Sequence, residues 1–100
     1  MKSMIKHVVC FQLKDSSEES CRAAQKILMS MKGNVPLIRD LFVGVDFLHS
    51  ERSYDVILEV LLDNRAALDA YQKDPYHCEI VKPYMHRVRS GSVAIDCELE

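Results

Sequence analysis

No stretch of this chain stays apolar long enough to span a bilayer, and no repeat, linker or low-complexity segment interrupts it. The N-terminal Met1-Lys2-Ser3-Met4-Ile5-Lys6-His7 lacks the long hydrophobic region and small-residue cleavage site of an export signal. An excess of one charge is also missing. The net charge is −2, and Lys and Arg are scattered without interleaved aromatics, so neither nucleic acid nor an anionic membrane is an expected partner. The four cysteines, Cys10, Cys21, Cys78 and Cys97, stand far apart with no C-x-x-C. Nothing selects a disulfide pairing, so reduced, packed thiols and a cytoplasmic location are expected. No H-x-x-x-H, H-E-x-x-H or cysteine cluster occurs at ligand spacing, and Gly44 and Gly91 make no phosphate-binding loop. No metal and no organic cofactor is therefore expected.

What the chain does have is enough apolar sequence for a core. Its 100 residues, 48 % hydrophobic, suit a single soluble domain over 1–100 that buries roughly two-thirds of its unfolded surface. Met4 to Lys14 alternates with period two, and Ile5, His7, Val9, Phe11 and Leu13 share a face that is apolar except at His7. Ser16 with Glu19 three residues on reads as a capping box. It opens a helix whose stripe is Cys21, Ala24, Ile27, Leu28 and Met31, stopped at Gly33 and Pro36. A second strand is expected over Ile38–Phe47, with Leu41, Val43, Val45 and Phe47 on one face. A polar loop over 49–53 leads to a third strand, Tyr54–Leu62, with Val56, Leu58, Val60 and Leu62 inward. Asp63 or Asn64 caps the next helix, and Ser92 to Glu98 reads as a last strand with Val93, Ile95 and Cys97 on one face.

The organising stretch is Leu68 to Pro83, two helical runs joined at Asp74-Pro75, where Asp is a favoured cap and Pro a favoured first residue. The first run puts Ala67, Leu68 and Tyr71 on one face. The second puts His77, Ile80, Val81 and Tyr84 on one face, and Pro83 is expected to limit it. A phenol and an imidazole thus point inward from either side of a break, above the strand face that carries His7.

The order is βαββαβ with the second helix broken. The economical packing is a four-stranded antiparallel sheet with both helices on one face, an α+β ferredoxin-like protomer. The other face still carries Val8, Cys10, Phe42, Ile57 and Leu61. Two such sheets related by a two-fold axis would cover it, so a homodimer closed through the sheets, a dimeric α+β barrel, is expected.

Several segments together resemble one family. They are Ile5-Lys6-His7-Val8-Val9, Lys14-Asp15, Gly44, Glu51-Arg52-Ser53-Tyr54-Asp55, Ala70-Tyr71-Gln72, Asp74-Pro75-Tyr76-His77 and Val93-Ala94-Ile95-Asp96. In this order and spacing, over almost the whole chain, they are similar to the stress-responsive A/B barrel (Dabb) family. The resemblance implies a ferredoxin-like protomer and a dimeric barrel. The family also includes a plant polyketide cyclase with a catalytic Tyr and His flanking the broken helix and a His on the first strand nearby. The matching residues are Tyr71, His77 and His7. The chain departs from the family at Asp74, where a His usually precedes the Pro, and in a first helix offering Ala23, Ala24, Ile27 and Leu28 where the cyclase has aromatics.

Three functions follow as expectations. In the first, a small stress-related dimer binds a hydrophobic or aromatic molecule between helices and sheet. In the second, it is a cofactor-independent cyclase or isomerase working through an enolate. There His77 is the general base, Tyr71 the donor to the developing oxyanion, and His7 orients the substrate or holds a second proton. In the third, His7, Tyr71 and His77 are core residues with hydrogen-bonded tips, and the protein is structural.

Overall fold

The computed structural model describes residues 3–99. Met1, Lys2 and Glu100 lie outside it, the first two belonging to the segment read for an export signal. The elements are β1 (Ile5–Leu13), α1 (Glu18–Met29), β2 (Asp40–Val45), β3 (Val56–Leu62), α2 (Arg65–Gln72), a π-helical turn (His77–Val81), α3 (Lys82–Val88) and β4 (Arg89–Glu98). All strand pairs are antiparallel, in the order β2-β3-β1-β4. This is the ferredoxin-like α+β fold, with the helices on one face of the sheet.

That inner face is set by strand alternation. Ile5, His7, Phe11 and Leu13 of β1 and Val56, Leu58, Val60 and Leu62 of β3 are all buried. They meet Cys21, Ala24 and Leu28 of α1, the stripe expected at helical spacing. The outer face is continuous across the strands. Phe42, Glu59, Val8 and Ile95 form one row; Gly44, Ile57, Cys10 and Val93 form the next. Phe42 is 56 % exposed and Ile95 68 %, so a wide apolar strip stays uncovered on the protomer. The ring of Phe42 lies over Gly44, where a Cβ would come within 3.1 Å of it.

Four local expectations are corrected. The cap of α1 is Ser17, whose hydroxyl accepts the Ser20 N–H at 3.2 Å, while Asp15 Oδ1 accepts the Ser17 N–H; Ser16 is one residue early. Strand β2 spans Asp40–Val45. The Asp46 carboxylate accepts the His49 N–H at 2.7 Å and turns the chain, leaving Phe47 88 % exposed and off the inner face. Ile80 is 45 % exposed, because the π-helical turn rotates the face that continues inward to His77, Val81 and Met85. Pro83 does not limit the helix, which continues to Val88. The Lys82 N–H bonds the His77 carbonyl five residues back, and this wider turn leaves Pro83 in the first turn of α3, where its missing N–H costs little. The Asn64 cap matches its residue, Oδ1 accepting the Ala67 N–H at 2.8 Å; Gly33 has the expected positive φ of 85°, but it turns the chain beyond the helix, which ends at Met29 with Ser30 as its C-cap. No helix among the described residues is long and apolar enough to cross a membrane.

Candidate functional site

The break between α2 and the π-helical turn is fixed by Asp74. Its carboxylate accepts the His77 N–H at 3.0 Å and its carbonyl accepts the Cys78 N–H at 2.9 Å, which starts the second run with Pro75 as its first residue, after α2 has ended at Gln72. Tyr76, at the start of that run, donates its hydroxyl to Ser30 Oγ at 2.8 Å and so ties the break to the end of α1. These restraints aim Tyr71 and His77 down onto the sheet.

There the rings of Tyr71 and His77 stack with centroids 4.4 Å apart, and His7 meets Tyr71 edge-on at 5.6 Å. All three residues picked out from the sequence are buried and line one cavity of about 240 Å³. Its floor is Val9 and Phe11 of β1 and Leu58 of β3; its roof is Val81 and Met85; α1 contributes only Leu28. Gln72 of α2, Lys82 and His86 of α3 and Arg89, Ser92 and Ala94 of β4, all exposed or half-buried, mark its mouth. Tyr84, placed by helical spacing on the face of His77, is partly buried with Arg87 over its ring, and His49 is exposed in its loop. A larger hollow of about 460 Å³ beside Arg65 and Asp69 is a charged cleft in which Arg65 and Glu98 already form a bidentate pair.

Sequence reasoning did not single out Asp96. Its carboxylate bonds His7 Nδ1 from the adjacent β4, where Asp96 and His7 are register partners. The signal was available in part, because alternation with Val93, Ile95 and Cys97 outward leaves Asp96 on the inner face; the pairing register supplies the rest. With Nδ1 engaged, Nε2 is the His7 nitrogen left for a ligand.

Burial does most to push the His77 imidazole below its ordinary pKa. The Lys82 charge adds to this, and the Tyr71 backbone and Asp74 act the other way. The shift favours the neutral imidazole, and its Nδ1 is buried without a hydrogen bond of ordinary geometry among the described residues. Burial, with the Asp74 charge, holds the Tyr71 phenol far above its usual range, so it stays a donor. Its hydroxyl donates to Met31 Sδ at 3.7 Å, a weak acceptor that a better one could displace. The arrangement can accept a proton at an imidazole, donate a hydrogen bond, and hold an apolar body between them. No group of three or more His, Cys, Asp or Glu among the described residues is placed to hold a metal ion.

The fold, with this cavity beneath a broken second helix, defines a ferredoxin-like α+β protein. The chain belongs to the stress responsive A/B barrel domain family, whose sequence profile matches residues 5–99. A comparison with curated proteins gave no match. Among solved structures, the chain is similar to a dimeric ferredoxin-like protein from Thermobifida fusca, with 20 % identity, 99 % of this chain and 93 % of that one covered, and a TM-score of 0.83. It is similar to a Dabb family protein from Mesorhizobium loti at 21 % identity, covering 96 % of each chain with a TM-score of 0.74. A hydroxynitrile lyase from Passiflora edulis shares the fold at 12 % identity, 100 % and 96 % coverage and a TM-score of 0.82.

Proposed function

We propose that this family member is a homodimer closed through the outer faces of its sheets, and that each protomer takes a small, largely apolar molecule between helices and sheet. The observation that carries the ligand reading is the buried Nδ1 of His77, a cavity-lining residue, which has no hydrogen bond of ordinary geometry among the described residues, although the Tyr71 backbone lies close enough to favour the protonated ring. In a finished core such an atom is bonded, since leaving it bare costs about 1–3 kcal/mol. The dimer reading is supported by the uncovered row of Phe42, Val8 and Ile95 and by relatives of this fold described as dimeric. A cytoplasmic setting suits the four free thiols.

Sedimentation equilibrium tests the assembly. The unmodified chain should sediment as a dimer at micromolar concentration, and Ile95→Glu, which would bury an unpaired charge in the contact, should weaken it about a hundredfold or more. A monomeric parent chain would end the barrel reading.

A second reading is favoured by the Asp96–His7 pair. A carboxylate that fixes one imidazole tautomer readies the other nitrogen as a base. In this reading His7 joins His77 in handling protons. One imidazole takes a proton from carbon beside a carbonyl, the electron pair moves into the carbonyl oxygen, and a Tyr71 hydrogen bond meets the resulting enolate. The enolate carbon then attacks a second carbonyl carbon of the same molecule, whose C=O π bond opens to an alkoxide that takes the proton back from the imidazolium, or it is itself reprotonated at a new position. That a lyase shares the fold supports such a use of the cavity. Turnover of poly-β-ketone or lactone substrates unchanged in both His77→Ala and Tyr71→Phe would remove this reading.

A further inference from the structure

We propose that the molecule taken by the cavity is an organic anion, a carboxylate on a small apolar body, held at the mouth by Lys82 and Arg89. The inference rests on reading the cavity as a ligand site and adds the charge of what enters it.

Lys82 opens α3 and Arg89 opens β4, so two of the elements that frame the mouth each supply one cation. Both side chains are half-buried, and no Asp or Glu lines the cavity. Among the described residues neither cation forms an ion pair: the five that occur use Lys6, His7, Arg39, His49 and Arg65. Two arginines at other element starts, Arg39 just before β2 and Arg65 opening α2, show the paired alternative. Arg39 is closed by both oxygens of Asp63, and Arg65 by both oxygens of Glu98. Arg89 reaches only Ser92 Oγ, at 3.4 Å.

Glu79, three residues before Lys82, is exposed and forms no ion pair with it among the described residues, and two other acids of the site are engaged elsewhere. Asp96 bonds His7, and Asp74 accepts the His77 backbone N–H. Two partly desolvated cations with no internal counter-charge make a site for a carboxylate, and a guanidinium fork fits one bidentately. Deeper in, Val9, Leu58 and Met85 suit a hydrocarbon or aromatic body. The bare His77 Nδ1 gives that body one polar contact if it carries a hydroxyl.

The test is a titration followed through the side-chain nitrogen resonances of His7 and His77, with phenylacetate, phenylacetamide and phenethylamine as probes. Phenylacetate should bind roughly tenfold or more tightly than the amide. Lys82→Gln and Arg89→Gln should each remove about that factor for the acid and leave the amide unchanged. Equal binding of acid and amide, tighter binding of the amine, or an acid affinity insensitive to both substitutions would overturn the anion inference and leave the ligand site standing. If no probe moves either imidazole, the ligand site falls, and the anion inference with it. Thermal melting of both variants near the parent value confirms that the mouth, and not the fold, has been changed.

Discussion

The helix-covered face of the sheet has two unlike halves. Under α1, on β2 and β3, the packing closes: Cys21, Ala24, Met31, Val56 and Val60 are at most 2 % exposed, and even the side-chain amide of Gln25 reaches the Val43 carbonyl at 2.9 Å. Toward β4, the helix is broken, its second run passes through a π-helical turn, and the strand beneath lines the cavity with Arg89, Ser92 and Ala94, of which Ser92 and Ala94 are small and exposed. The first half is what agreement among cap, stripe and strand pattern produces. In the second half several local rules are broken together. A histidine sits in an apolar strand face, a proline follows a helix start, and small residues stand where large ones would fill the layer. The result is a cavity with polar groups buried around it.

Substitutions on either side should separate the two halves. The largest effect belongs to the closed side. Leu62→Ala, at a residue with 0 % exposure, should cost about 2–5 kcal/mol in chemical denaturation, by lost burial and a cavity that cannot collapse. At the break, Asp74→Ala should cost about 1 kcal/mol, because the His77 N–H loses its acceptor. The same variant should broaden or shift the His77 resonances, which a cap with no bearing on the site would not do.

A pH dependence comes next. The His77 pKa is lowered in the folded state, so the unfolded chain takes up the proton first as pH falls. Stability attributable to His77 is present in full above its unfolded pKa of about 6.5 and is lost as pH drops through the folded value. Replacement by Phe should flatten the stability profile on the acid side of that point. The smallest stability change is expected at the open half. Ala94→Leu should lie within about 0.5 kcal/mol of the parent in denaturation, yet fill the mouth and weaken phenylacetate.

Period-two alternation made the inner and outer faces legible, from Ile5 through Leu13 and from Val56 through Leu62, because strand geometry leaves no other way to bury those residues. The inward pairing of Tyr71 and His77 was legible for the same kind of reason at helical spacing. What alternation could not carry was register. The sequence puts His7 and Asp96 on inner faces, but only the β1–β4 alignment makes them neighbours. The π-helical turn was equally hidden, since a proline in a helical pattern reads as a stop until a wider turn absorbs it. That turn moved Ile80 outward and brought Lys82 to the mouth. Phe47 was misread because the side chain of Asp46, not the apolar pattern, ends its strand.

The most direct measurement is a high-resolution crystal structure, inspected in the space bounded by His7, Val9, Leu58, Val81 and Met85. Ordered water or a small molecule hydrogen-bonded to at least one of the two imidazoles is expected there. Side chains collapsed into that space, with His7 and His77 packed only against the protein's own carbon atoms, would contradict a ligand site beneath the broken helix.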